Sequence, residues 1–328
     1  MKRTFIFSIF AFALLFGLSS KFVQAATFTS PPFDLGSASA YFAKNVSYGS
    51  HESYEVLDAF LPKAQYDSKT KTPLVIFIHG GGFTSGDKSD IYSSSGTRKL
   101  ITNLLSKGIA FVTINYPLLQ NHDTVGVMKS LNGSKRALQF TRRYASSFNI
   151  LPNKTLLLGS SAGASTALWL GFHDDMANPA SSDVTQRQST RVLAVAAMQT
   201  QATLDLVRWL DIFSVYNTTL TPFATPVTRL YGISSLSQLN DPEIVSYRKE
   251  VDMLAQMDSS DPEIWVENKN VPEVSPNTNI SIFYHHPYHA RALKNRAAQV
   301  GLQGVFNIPV LQIYGNETME KFILRKLQ

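Results

Sequence analysis

The run Gly159-Ser160-Ser161-Ala162-Gly163 sets a serine among small residues, directly after the apolar stretch Thr155 to Leu158 and directly before the Ala-rich stretch Ala162 to Leu170. A serine on a sharp strand-to-helix turn is forced into a strained backbone conformation. Its hydroxyl then projects beyond the C-terminal edge of a sheet, with a helix N-terminus beneath it. Larger side chains beside it would collide with the neighbouring strand and helix. Ser161 is therefore a candidate nucleophile for acyl transfer, a chemistry that proceeds through a covalent serine intermediate. The pattern by itself is short enough to arise by chance, and its strand-turn-helix context is what gives it weight.

A second run, His79-Gly80-Gly81-Gly82-Phe83, follows the apolar stretch Leu74 to Ile78 upstream of the serine. Consecutive glycines let backbone N–H groups converge on one point, where a developing oxyanion can be held. Gly81 and Gly82, together with the N–H of Ala162, are the candidate donors. Removing one such donor typically costs roughly 3–4 kcal/mol of transition-state stabilisation. The alternative is a glycine-rich turn that only reverses the chain, with His79 bonding backbone to order it.

The elements that must position these residues alternate as βαβ units around a mainly parallel sheet. Val56 to Leu61, Leu74 to Ile78, Ile109 to Asn115, Thr155 to Leu158, Val192 to Ala197, Glu263 to Val266 and Val305 to Ile308 read as strands. Leu100 to Leu105, Val125 to Phe148, Ala162 to Leu170 and Pro287 to Val300 read as helices. From residue 199 to 258 the alternation stops, and Trp209, Leu210, Ile212, Phe213 and Val215 suggest a helical insertion over the sheet edge. Residues 26–328 are read as one domain.

Together these motifs resemble the α/β-hydrolase superfamily, in the branch of hormone-sensitive-lipase-like and bacterial feruloyl or acetyl-xylan esterases. The similarity rests on His79-Gly80-Gly81-Gly82-Phe83, on Ile114-Asn115-Tyr116 and on Gly159-Ser160-Ser161-Ala162-Gly163-Ala164, and runs from about Tyr48 to Gly301. It implies an α/β-hydrolase fold, a Ser-Asp-His triad, no cofactor and acyl-ester substrates. The chain departs from that pattern where the family keeps its acid and its histidine. Residues 268–284 contain no aspartate and a single carboxylate, Glu273, and no histidine follows Val305.

A base must then come from His285-His286-Pro287-Tyr288-His289, at the start of the helix after the penultimate strand. His286 is the candidate, with Glu273, Glu317 or Asp261 to orient it, since unrelated folds assemble the same triad in different chain orders. The competing reading has His286 and His289 only cap and pack that helix. His173-Asp174-Asp175 is read as a polar helix end rather than a metal site, and no metal or cofactor is expected. Trp209, Phe213 and Tyr216 could line an acyl pocket or simply pack the insertion.

Composition narrows the classes further. Apolar residues make up 44% and charged residues 16% of the 328, the balance of a globular chain. The absence of cysteine excludes disulfides, a thiol nucleophile and thiolate metal sites. Lys2 and Arg3, the apolar run Phe5 to Leu18 and the small residues around Ala25 read as a secretory signal, residues 1–25, cut after Ala25. The apolar run is shorter than the roughly 20 residues that a spanning helix needs, so no membrane span is expected, and the location is periplasmic or secreted. Lys2, Arg3 and Lys21 leave with the signal, so the 30 basic side chains fall to 27 against 24 acidic ones. No basic tract interleaves with aromatics, and nucleic acid is not expected as a partner.

The sequence thus points to an exported serine hydrolase cleaving small acyl or polysaccharide-linked carboxylic esters. The alternative is a catalytically impaired hydrolase-fold protein that binds a ligand or glycan. A peptidase of the same fold is a weaker third reading, because no propeller or large recognition domain is present.

Overall fold

Six apolar runs become neighbouring parallel strands, the central ones because each is buried on both faces. The computed structural model describes residues 27–51, 53–274 and 280–328. The expected signal segment, residues 1–25, lies outside the described residues. The strands are β1 (Phe28–Thr29), β2 (Ala40–Ser47), β3 (Val56–Pro62), β4 (Thr72–Ile78), β5 (Ala110–Ile114), β6 (Ile150–Ser160), β7 (Ala194–Met198), β8 (Glu263–Glu267) and β9 (Gly304–Asn307). They form one sheet in the order β1-β2-β3-β5-β4-β6-β7-β8-β9. Pairing is parallel from β5 through β9, while β1, β2 and β3 run antiparallel at one side.

Side-chain alternation divides the core between the two faces of this sheet. From β4, Leu74, Ile76 and Ile78 pack into one apolar cluster, and Val75 and Phe77 into the other. The helix Ala162–Phe172 is buried at every position. It is apolar all round, as a helix with no solvent face must be, and this fixes the segment that follows Ser161.

Several elements go beyond the sequence reading. The strands β1 and β2, the short helix Lys63–Asp67 and the C-terminal helix Met319–Leu327 were not anticipated. The helix expected over Val125 to Phe148 is shorter, Met128–Arg143, because the chain leaves helical geometry at Tyr144 and turns through Asn149 at φ +55°. The strand expected at Thr155 to Leu158 is longer, spanning Ile150–Ser160. Between β7 and β8 the regular elements are all helical, among them Trp209–Ile212, Ala224–Tyr231, Pro242–Glu250 and Met253–Gln256. Among the described residues no helix is long and apolar enough to cross a membrane.

Candidate active site

Parallel register brings the two glycine-containing motifs together. Ile78 at the end of β4 lies opposite Gly159 in β6, so the chain leaves both strands at one point on the C-terminal edge. A Cβ on Gly80 would stand 3.2 Å from Ser161 Cβ, which measures how closely the glycine loop and the serine approach.

Ser161 occupies the turn between β6 and the helix Ala162–Phe172 with φ +53° and ψ −124°. A left-handed φ at a non-glycine residue costs on the order of 1–3 kcal/mol and persists only where the surroundings enforce it. Here the Ser161 N–H donates to the Met198 carbonyl at 2.9 Å. Gly163 allows the helix to sit against β4, since a Cβ there would fall 2.0 Å from the Ile78 carbonyl oxygen.

The upstream loop is built for close backbone approach. Gly81 adopts φ +108°, and its carbonyl accepts N–H groups from both Thr84 and Ser85 at 3.0 Å. The Tyr116 hydroxyl donates to the His79 carbonyl at 2.9 Å, and the two rings stack at 4.3 Å. His79 Nδ1 donates to the Gly80 carbonyl at 2.7 Å, which leaves Nε2 as a buried acceptor without a partner among the described residues. Burial holds the His79 pKa below its usual value and keeps the ring neutral. Gly81, Gly82, Ser161 and Ala162 all line one cavity of about 410 Å3.

The histidine facing the serine is His285, not His286. Ser161 Oγ and His285 Nε2 are 2.8 Å apart, within the range for direct proton transfer. Burial lowers the His285 pKa, so the unprotonated ring that can accept a proton persists to lower pH. His286 instead is the N-cap of the helix Pro287–Val300. Its Nδ1 accepts the Tyr288 N–H, and its Nε2 lies 3.1 Å from the Tyr216 hydroxyl. Folding its ring back onto the helix end turns His286 away from the sheet edge and leaves the preceding residue to face Ser161. Burial, helped by the charge of Arg291, pushes the His286 pKa to about 4. His289 is fully buried, accepting from Ala202 N–H and donating to the Phe283 carbonyl.

None of the three carboxylates expected to orient the base reaches it. Glu273 makes no hydrogen bond among the described residues. Glu317 is held by Arg325. Asp261 precedes β8, at the opposite edge of the sheet, where it accepts the Asp258 N–H at 2.8 Å and pairs with Arg191. What holds the histidine is a set of amides. Asn268 Nδ2 and Asn270 Nδ2 each donate to the His285 carbonyl at 3.0 Å. Gln201 bridges the serine helix and the histidine loop, accepting from Ser165 Oγ and donating to the Tyr284 carbonyl, both at 2.7 Å. Sequence reasoning missed these three residues. Their one visible signal was position, because Asn268 directly follows β8 and Gln201 lies three residues past β7, on the edge that carries Ser161.

Of the other candidates, Trp209 lines the cavity, whereas Phe213 is buried outright and Tyr216 packs on His286. His173 bonds Trp169, Glu250 and Gln256, and among the described residues no acidic or histidine cluster has the arrangement of a metal site.

A carbohydrate esterase from gut microbiota, solved in truncated form, superposes with a TM-score of 0.63 at 20% identity, over 92% of this chain and 98% of its own. An acetyl ester-xyloside bifunctional hydrolase from Caldicellulosiruptor lactoaceticus gives 0.52 at 19% identity, over 85% and 80%. A Thermogutta terrifontis esterase with bound butyrate gives 0.54 at 16%, over 84% of each chain. At these identities the superpositions establish the fold. In sequence, esterase cest-33 of Caenorhabditis elegans is 33% identical over 140 residues, 40% of this chain and 23% of that protein. The neuroligin-like protein glit-1 of the same organism is 28% identical over 122 residues, 36% of this chain and 15% of its own length. The chain thus covers less than a quarter of either curated relative. The BD-FAE family model matches residues 57–270, a span that holds β4 to β8, all of β3 but its first residue, and both glycine-containing motifs. The chain belongs to the BD-FAE family, on an α/β-hydrolase fold.

Proposed function

We propose that the protein is an exported serine hydrolase that cleaves carboxylic esters through an acyl-enzyme, with Ser161 as nucleophile and His285 as base. The observation that carries this reading is the 2.8 Å contact between Ser161 Oγ and His285 Nε2, set in a cavity also lined by Gly81, Gly82 and Ala162. Ser161 Oγ attacks the ester carbonyl as its proton passes to His285 Nε2. The carbonyl oxygen, now an anion, accepts from the N–H groups of Gly81, Gly82 and Ala162. Collapse of this intermediate breaks the ester C–O bond, and the imidazolium returns its proton to the leaving alkoxide. Water then attacks the acyl-enzyme with His285 again taking the proton, releasing the carboxylic acid and restoring Ser161.

Removal of residues 1–25 on export belongs to the same proposal and is read from the apolar leader and the small residues around Ala25. Incubation of the exported protein with a fluorophosphonate probe tests the mechanism, with the intact mass reporting an N-terminus at Ala26. Ser161 is expected to be labelled in the wild type and unlabelled in His285→Ala. A wild type that stays unlabelled beside a labelled control esterase removes the catalytic reading. A ligand-binding protein without turnover is the second reading. It is favoured by one observation: among the described residues no carboxylate bonds the His285 ring, whose pKa burial holds below its usual value.

A further inference from the structure

The cavity that holds Ser161 is apolar over most of its wall, with Leu119, Leu204, Leu206, Trp209, Pro226 and Leu230 among its lining residues. Among the described residues lining it, Arg229 brings the one permanent charge. Arg229 sits on the helix Ala224–Tyr231, one turn beyond Thr225 and Pro226, so the same helix face supplies all three to the wall. Its recorded contact is a single hydrogen bond from Nη2 to Asn121 Oδ1 at 2.9 Å, and no carboxylate pairs with it among the described residues. Arg248, Arg208 and Arg191 are instead paired with Asp205, Asp252 and Asp261, and Arg142 and Arg296 each spend two donors on backbone carbonyls, so Arg229 is distinguished by facing the cavity with most of its donors uncommitted among the described residues. Tyr284 lines the same cavity; burial pushes its phenol up to about 12, and the positive charge of Arg229 draws it partly back down.

A guanidinium presents a planar fork of donors matched to a carboxylate, and an apolar wall strengthens that pairing by excluding water. We propose that this cavity selects esters carrying a carboxylate, which Arg229 binds while Ser161 attacks the ester carbonyl at the other end. The inference rests on the esterase reading for the reaction but not for the anion site itself. A compact cavity of about 410 Å3 is roughly 9 Å across. That span bounds the separation between an ester carbonyl near Ser161 and an anion near Arg229 to a few methylenes at most, as in the half-esters of short dicarboxylic acids.

The test compares monoethyl glutarate with ethyl pentanoate, in which a methyl replaces the carboxylate, and 3-acetoxypropanoate with propyl acetate. The first pair places the anion on the acyl side and the second on the alcohol side. Initial rates are followed by pH-stat in wild type, Arg229→Gln and Arg229→Lys. The readout is the ratio of kcat/KM within each pair, so a general loss of activity in a variant cancels. We expect a preference of at least about tenfold for the anionic member of one pair. It should collapse towards unity in Arg229→Gln mainly through KM and be partly kept in Arg229→Lys. Equal rates within both pairs in the wild type, or an undiminished preference in Arg229→Gln, would overturn the proposal. Thermal shift with glutarate separates this outcome from failure of the esterase reading. Stabilisation of wild type and Ser161→Ala but not of Arg229→Gln supports the anion site even if no ester turns over, and its absence in all three counts against it.

Discussion

Gly163→Ala probes the link between packing and chemistry most directly. In the structure a Cβ at this position lies 2.0 Å from the Ile78 carbonyl oxygen and 2.5 Å from that of His79. Both acceptors belong to the end of β4 and its continuation, and β4 is paired on each side by β5 and β6, so the strand cannot yield. Restoring an ordinary contact of 3.4 Å from 2.0 Å requires the helix start to retreat by about 1.4 Å. Ser161 and the Ala162 N–H form that helix start and must move with it. A misplacement of about 1 Å at reacting groups can lower the rate on the order of 100-fold, and overpacking itself costs about 1–3 kcal/mol of stability. The expected result is therefore a fall of about 100-fold in kcat/KM for 4-nitrophenyl acetate, with a lowered Tm. Gly96→Ala serves as control, because Gly96 lies exposed in the helix Ser95–Ser106 and its added Cβ would meet only Ser94 Oγ at 3.9 Å. It should leave the rate unchanged and hold or raise Tm. A Gly163→Ala enzyme with wild-type kcat/KM would refute the claim that close helix–strand packing sets the position of the nucleophile.

The adjacent histidines should separate cleanly. His285→Ala is expected to lower kcat by about 10²–10⁴-fold, whereas His286→Ala should keep turnover and lose about 1 kcal/mol of stability with its helix cap. Ester hydrolysis and thermal unfolding of the two variants side by side check this, and the opposite pattern would return the base to His286. Burial holds the His285 pKa below 6.5, so the form able to accept a proton remains dominant as pH falls past that value. The acid limb of the kcat/KM profile should then lie below pH 6.5, and a midpoint at or above it contradicts the assignment. The same sign governs stability. His286 and His289 titrate near 4 and 3 when folded, both depressed first by burial, but near 6.5 when unfolded. The unfolded chain takes up protons that the native state refuses, so Tm should hold above about pH 6.5 and fall steadily as the solution is acidified towards pH 4.

The central strands were readable because burial on both faces leaves an uninterrupted apolar run, as in Leu74 to Ile78. The two glycine-containing motifs were readable because a few consecutive residues carry their chemistry, although the angles at Ser161 are held by distant partners, the Met198 carbonyl in β7 and the end of β4 beneath Gly163. The identity of the facing histidine is not a local property. His285 and His286 are adjacent, and which one turns towards Ser161 depends on a cap formed with Tyr288 and on Tyr216, about seventy residues upstream. The amides that hold the histidine loop were equally hidden, since Asn268, Asn270 and Gln201 act through backbone carbonyls brought near only by folding. The strand β2 escaped notice because Lys44 and Asn45 interrupt its alternation where the pairing with β3 shifts register.

The groups proposed to act on the ester bond come from sheet-edge loops anchored in the core, while Leu204, Leu206, Trp209 and Leu230 come from the segment between β7 and β8. Mutation can therefore reshape what the protein admits without disturbing how it reacts. Swapping or trimming that intervening stretch offers an engineer, as it offers selection, a way to change clientele on a preserved reactive platform.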